Sequence, residues 1–184
     1  MSNLLSVESA ALVRGGRLLF EGLDLTLAPG EAVHVTGPNG CGKSSLIRLV
    51  AGLLSPSAGK VERADAALAD EGLALDRELP LRRALAFWAG PRLDEAIDQF
   101  DLGRLCEVPV RLLSTGQAKR ARLARVMASG APLWLLDEPL NGLDRDGSER
   151  LAVALDRHRA AGGAVLAASH VTMAGKWRAL ELGR

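Results

Sequence analysis

Apolar and polar residues alternate over residues 4–36, as in Leu23-Asp24-Leu25-Thr26-Leu27, and Gly15-Gly16 and Pro29-Gly30 interrupt the alternation with pairs suited to tight turns. The pattern predicts antiparallel strands leading into a more buried strand at Ala32–Thr36. After Gly42 the spacing lengthens: Leu46, Leu49, Val50 and Leu53 fall on one side of a helix that stops between Gly52 and Pro56. Helical spacing returns at Leu81, Leu85, Phe87 and Trp88, and again at Leu93, Ile97 and Phe100, with prolines between them. Residues 79–113 therefore read as a small helical insertion. A basic helix is predicted from Ser114 to about Ala128. The run Leu133-Trp134-Leu135-Leu136 is short and flanked by Pro132 and Pro139, which favours a buried parallel strand over a helix. A helix from about Arg145 to Ala161 ends at Gly162-Gly163, and Ala164–Ala168 reads as another buried strand. The alternation of strands and helices after residue 33 implies an α/β fold, a parallel-sheet core with the early antiparallel strands as an added sheet. One domain, residues 1–184, accounts for the pattern, with a core of about 1–78 and 114–184.

Composition narrows the function. With 184 residues, of which 48% are hydrophobic, the chain can bury one sizeable core. Its 23 Lys and Arg against 22 Asp and Glu leave a net charge of +1, so no global field draws it to DNA, RNA or an anionic membrane, and direct nucleic-acid binding is not expected. The longest uncharged stretch, near Val126–Leu136, is about half of the roughly 20 apolar residues that span a bilayer. The start, Met1 to Leu5, lacks the basic and apolar regions of a signal peptide, so a cytosolic protein is expected. Cys41 and Cys106 show no CxxC spacing, and only three histidines accompany them. Neither a disulfide framework nor a zinc site is expected.

The strongest chemical signal is Gly37-Pro38-Asn39-Gly40-Cys41-Gly42-Lys43-Ser44, a full match to GxxxxGK[ST] placed between a predicted strand and a predicted helix. Its glycines let successive N–H groups turn toward phosphate oxygens, and the helix N-terminus adds its positive end. Lys43 is expected to reach the β- and γ-phosphates, the Ser44 hydroxyl to hold Mg²⁺, and Ser45 to complete the phosphate-binding stretch. Cys41 occupies a free position of the motif and reads as a small residue without chemistry.

Gripping phosphate does not cleave it. The strand ending at Asp137 places a carboxylate where it could orient Mg²⁺ through its waters, and Glu138, next in line, could polarise the attacking water. His170 follows the strand Ala164–Ser169, near the same edge, where its imidazole could touch the γ-phosphate. His34, inside a strand, and His158, on a charged helix, read as structural.

Leu113-Ser114-Thr115-Gly116-Gln117-Ala118-Lys119-Arg120 stands about twenty residues before Asp137-Glu138, and with it the sequence resembles the ATP-binding subunits of ABC transporters over nearly its whole length. The likeness takes in the phosphate loop, this signature, Asp137-Glu138, the turn Asn141-Gly142-Leu143-Asp144 and His170. It implies an ATPase coupled to transport, with ATP and Mg²⁺ as its small-molecule partners. Ser114 and Gly116 open a helix whose free N–H groups form a second anion site. In the family that signature, here Ser114, Thr115, Gly116 and Gln117, acts in trans on ATP held by a second subunit. The resemblance thus implies a homodimer closed around two ATP molecules, with Asp144 at the seam, and integral membrane permease subunits as partners. The basic positions Lys119, Arg120, Arg122 and Arg125 read as the solvated face of the signature helix. Within the family, Arg17 to Phe20, Ser129 to Pro139 and Trp177 to Leu182 are similar to the ATP-binding subunit of cytochrome c maturation, or haem export, complexes. That likeness implies a peripheral protein on the cytoplasmic face of the bacterial inner membrane; another small transporter is the alternative. Soluble relatives acting on nucleic acid carry long insertions, for which the roughly seventy residues from Ser44 to Ser114 leave no room. Relatives acting on ribosomes carry two such domains, and a phosphate-loop kinase would not explain the signature.

Two positions depart from the family pattern. Its usual glutamine between the phosphate loop and the helical insertion is missing: the region reads Leu68-Ala69-Asp70-Glu71-Gly72-Leu73, where Glu71 could substitute as an oxygen ligand to Mg²⁺. The chain has no tyrosine to stack on adenine; Arg14 falls at that place by spacing, and its planar guanidinium could stack instead. Phe20, the aromatic alternative, reads as core, and the three tryptophans as packing residues.

Overall fold

The structure, a computed structural model, describes residues 3–72, 74–90 and 92–183; Met1, Ser2 and Leu73, invoked above, lie outside the described residues. Its strands are β1 (Leu5–Arg14), β2 (Arg17–Leu27), β3 (Ala32–Thr36), β4 (Ala58–Arg63), β5 (Ala66–Ala69), β6 (Leu133–Asp137), β7 (Ala164–Ala168) and β8 (Arg178–Glu181). Strands β2-β1-β4 form an antiparallel sheet, and β5-β6-β7-β3-β8 a sheet that is parallel throughout. The β1–β2 hairpin turns at Gly15-Gly16, both left-handed at φ 56° and 75°. Such a pair matches the twist of the flanking strands, and glycine adopts it without a Cβ clash.

The parallel sheet is buried on both faces, which is why β6 and β7 read as unbroken apolar runs: all five residues of each are buried. On one face Leu133, Leu135, Leu166 and Val35 pack with Leu46, Ile47 and Val50 of helix α1 (Lys43–Val50) and with the antiparallel sheet. On the other, Trp134, Leu136 and Val165 meet α4 (Thr115–Ala128) and α5 (Arg145–Ala160). The short helices α2 (Leu81–Ala86) and α3 (Leu93–Gln99) lie in the 79–113 segment, whose ends are tied together where the Leu81 amide donates to the Val108 carbonyl at 3.0 Å and that of Val110 to Leu79 at 3.0 Å.

Three strands are additional to those read from the sequence pattern. β4 is a largely exposed edge strand with the polar sequence Ala-Gly-Lys-Val-Glu-Arg, and β5 is four residues with three alanines. Neither has the β-branched alternation that marks a strand. β8 is a four-residue edge strand on β3. Phe87, grouped with the helix by spacing, lies beyond the end of α2 and is strongly exposed; Trp88 is also partly exposed, whereas Trp134 and Phe20 are core. Among the described residues, no helix is long and apolar enough to cross a membrane.

Candidate nucleotide-binding site

β6, β7 and β3 are neighbours, and all three end at the same edge of the sheet, with Asp137 and Val35 both paired to Ala168. In an open parallel sheet, that carboxyl edge is where ligands bind. β3 runs into the phosphate loop, β6 into Asp137-Glu138, and β7 into Ser169-His170.

The loop between β3 and α1 turns through Gly37, Gly40 and Gly42, all at positive φ. Gly37 also needs its missing side chain for packing: a Cβ there would lie 2.4 Å from the Leu182 carbonyl oxygen and 2.9 Å from the Cys41 sulfur. The first intrahelical bond of α1 runs from the Leu46 amide to the Gly42 carbonyl at 2.8 Å. The amides just ahead of it therefore have no helical acceptor and form the anion-binding end. Lys43 is buried, its ammonium donating to the Gly37 and Pro38 carbonyls at 2.8 and 3.0 Å, so the loop itself holds the cation that phosphate oxygens would meet. Cys41 is buried under the loop as a small packing residue.

The Ser44 hydroxyl donates to Asp137 at 3.0 Å, bringing the two expected Mg²⁺ oxygens side by side across 93 residues of sequence. Burial raises the Asp137 pKa, against the Ser44 hydrogen bond and the Arg48 charge, which lower it. Among the described residues no cluster of three or more His, Cys, Asp or Glu converges as a metal site. One hydroxyl and one carboxylate nonetheless fit Mg²⁺, an ion that keeps several waters and takes phosphate oxygens.

Glu138 has φ 47°, a left-handed conformation that a non-glycine residue adopts only under constraint. The constraints are visible. Its amide donates to the Ala168 carbonyl at 2.8 Å, extending the β6–β7 ladder, while its carbonyl accepts from the Asn141 amide at 3.2 Å and the Lys119 ammonium at 2.7 Å. Its carboxylate meets His170, with the backbone N–H at 3.4 Å and the ring Nε2 at 3.3 Å. Glu138 and His170 line one cleft of about 580 Å³ with Asn39, Gly40, Gly42, Lys43, Ser44 and Ser45, and the cleft extends to Arg14, Gly15 and Leu19 beside the β1–β2 turn. Arg14 thus reaches the same cavity as the phosphate loop. Glu71 does not line it: the residue is exposed, and its carbonyl accepts from Arg122 at 2.8 Å.

The signature residues sit elsewhere. Ser114 caps α4, accepting from the Gln117 amide at 3.3 Å, while the Ser114 amide donates to the Gln117 side chain at 2.9 Å, a reciprocal capping box. Ser114, Gly116 and Gln117 share a recess of about 160 Å³ with Arg120, Gly142, Leu143 and Asp144. A Cβ on Gly116 would stand 3.4 Å from the Gly142 carbonyl oxygen, so the two loops approach closely. Thr115 is the first residue of α4, and its methyl lies 3.9 Å from a Cβ built on Gly142. Asp144 caps α5, its carboxylate accepting from the Gly147 amide at 2.7 Å. The recess shares no residue with the nucleotide cleft.

The basic face of α4 is not solvated. Lys119 and Arg125 are buried, Arg122 donates to the Asp70 and Glu71 carbonyls at 2.9 and 2.8 Å, and Arg125 donates to the Leu68 carbonyl and lies 5.0 Å from the Trp88 ring centroid. Arg120 pairs with Asp101 at 3.6 Å. Burial, the largest cause, and the nearby Arg122 charge lower the Lys119 pKa to about 8, against Asp137, Glu138 and Glu71. A sequence signal existed: Lys119 stands four and seven residues before Leu123 and Val126, in line with the buried stripe of α4. His34 donates from its Nε2 to the Ser169 carbonyl at 3.0 Å, and His158 is buried and stacked on Trp134.

Known proteins are similar to this chain in sequence and in fold. The family described as ABC transporter matches residues 20–141. A protein of Sphingopyxis alaskensis named cytochrome c biogenesis ATP-binding export protein CcmA is 56% identical over 181 residues, covering 95% of this chain and 93% of its own. The protein of that name from Novosphingobium aromaticivorans is 61% identical over 165 residues, covering 88% and 85%. A solved ATP binding subunit of an ABC transporter superposes with a TM-score of 0.85 at 25% identity, over 91% of this chain and 80% of its own. A putative ABC transporter ATP-binding protein from Pyrococcus furiosus shares the fold with a TM-score of 0.85, covering 98% of both chains at 19% identity. The shared fold, the cleft at the carboxyl edge of the sheet and these similarities place the chain in the ABC transporter family, as one of its ATPase subunits.

Proposed function

We propose that the chain is the ATP-hydrolysing subunit of a cytochrome c biogenesis transporter, driving haem export or release of a haem-loaded chaperone from the cytoplasmic face of the bacterial inner membrane, where membrane permease subunits hold it. The name and extent of its relatives support that reading. We take residues 1–184 as one ATP-binding unit, with 79–113 as its helical part. Gly37 to Ser45 grip the phosphates, Lys43 neutralises the β- and γ-oxygens, Ser44 and Asp137 hold Mg²⁺, and Arg14 stacks on the base. Mg²⁺ supplies charge neutralisation on the phosphates when bound. Glu138 orients the attacking water, and His170 holds the Glu138 carboxylate toward the γ-phosphate position. The observation that carries the hydrolytic part is that Glu138 and His170, in mutual contact, open onto the same cleft as Lys43 and Ser44. The separate recess at Ser114 to Gln117 supports a head-to-tail pair, in which each chain lends its signature to the other's ATP and Asp144 lies at the seam.

The test is Glu138→Gln. ATP binding is expected to persist while cleavage stalls and a nucleotide-loaded dimer accumulates on size-exclusion chromatography; equal loss of binding and cleavage would remove Glu138 from the water-positioning role. In cells the same variant should fail to support accumulation of haem-loaded c-type cytochromes. Normal accumulation would assign the chain to a transporter of another kind.

A further inference from the structure

Lys119 is fully enclosed, at 4% exposure, yet forms no ion pair among the described residues. Burying an ammonium is costly unless it is hydrogen-bonded, and among the described residues its partner is a single backbone oxygen, the carbonyl of Glu138, at 2.7 Å. That carbonyl belongs to the residue with the left-handed φ and precedes Pro139, a context that restricts the backbone further. The direction in which the Glu138 side chain leaves the sheet is set by that backbone, and the backbone is fixed at two ends: by β7 through the amide, and by Lys119 and the Asn141 amide through the carbonyl.

The base from which Lys119 reaches is itself held. One and two turns along α4, Arg122 and Arg125 donate to the carbonyls of Leu68, Asp70 and Glu71 at the end of β5, so the helix cannot slide along the sheet without breaking these bonds. Residues three apart on a helix share a face, which is why Lys119, Arg122 and Arg125 all point at this edge.

We infer that Lys119 is a positioning residue for hydrolysis, holding the strained Glu138 backbone so that its carboxylate faces the γ-phosphate position. It does not line the nucleotide cleft, and it acts through Glu138. The inference rests on the water-positioning role proposed for Glu138.

The experiment combines Lys119→Met, Lys119→Arg, Glu138→Gln and the double variant Lys119→Met/Glu138→Gln in the full chain. It reads ATP affinity with a fluorescent analogue and single-turnover cleavage of ATP with protein in excess. Lys119→Met, which keeps the packing and removes the donor, is expected to slow cleavage at least tenfold with ATP affinity within twofold. Lys119→Arg should recover most of the rate, and the double variant should cleave no more slowly than Glu138→Gln alone. Wild-type cleavage by Lys119→Met, a matching fall in affinity, or a further loss in the double variant would each overturn the inference. If Glu138→Gln itself cleaves normally, the role of Glu138 fails first, so the two failures are distinct. Should the methionine variant not fold, Lys119→Gln, which retains polarity but shortens the reach, reads the same quantities.

Discussion

His158 offers a test of the packing beneath the site. It lies on α5, 7% exposed, with its ring stacked on Trp134 at a centroid distance of 4.0 Å and an interplanar angle of 12°, and Nε2 is 3.3 Å from the Ala164 carbonyl oxygen. A Cβ on Gly163 would fall 2.2 Å from the imidazole, so glycine makes room for the ring. Burial, the largest cause, lowers its pKa from 6.5 to about 4, with Arg92 acting in the same sense and the Ala164 and Pro132 carbonyls opposing. The folded protein therefore binds fewer protons than the unfolded chain between pH 6.5 and 4. Stability is fully present above pH 6.5 and is lost as pH falls through this window, at up to about 1.4 kcal/mol per pH unit and about 3 kcal/mol in all. Asp137 works against this, because its raised pKa lets the folded state hold a proton longer in acid. Lys119, lowered to about 8, contributes only between pH 8 and 10.5. His158→Phe keeps an aromatic ring on Trp134 and leaves Asp137 unchanged, so the difference between variant and wild type isolates the histidine. Urea unfolding followed by circular dichroism from pH 4.5 to 7.5 should show the variant losing less stability in acid, the gap narrowing by about 2 kcal/mol or more across the range. Parallel curves would refute the assignment of a buried neutral imidazole.

Two further outcomes concern the nucleotide sites. Lys43→Ala removes the ammonium held at the Gly37 and Pro38 carbonyls, and ATP hydrolysis should fall by about 100-fold or more, read by phosphate release. Ser114→Asp keeps a good helix cap but places a negative charge in the signature recess, so hydrolysis should cease with ATP affinity per monomer nearly unchanged. A mixed dimer of these two variants should recover one working site, and no recovery would argue against a signature acting in trans.

Much of the fold was legible because its central strands are extreme. Leu133 to Leu136 and Ala164 to Ala168 are buried on both sides, and a run of that kind bounded by proline or glycine has few alternatives to a parallel strand. The antiparallel alternation of β1 and β2 and the helix after Gly42 were equally plain. β4 escaped because an edge strand needs little apolar surface, and β5 because three of its four residues are alanines, which favour helix intrinsically. Only its pairing to β6, which aligns Ala67 with Trp134 and Leu68 with Leu135, makes that segment a strand. Such a pairing is a long-range fact, absent from any local window.

The site divides in the same way. Residues whose chemistry is carried by a contiguous motif, Gly37 to Ser44 and Asp137-Glu138, could be assigned roles before any geometry. Lys119 could not: its spacing to Leu123 and Val126 put it in line with the buried stripe of α4, but charge on a helix normally means solvent and the stripe names no acceptor for the ammonium. The structure reverses that reading through acceptors that no side-chain pattern reveals: the carbonyls at the end of β5 and at the Glu138 turn. Carbonyls leaving a sheet have lost their ladder partners, and when buried they must find donors elsewhere. The cations of α4 are donors to the carbonyls at the end of β5, and Lys119 joins the Asn141 amide on the Glu138 carbonyl, so that its consequence falls on the orientation of the carboxylate.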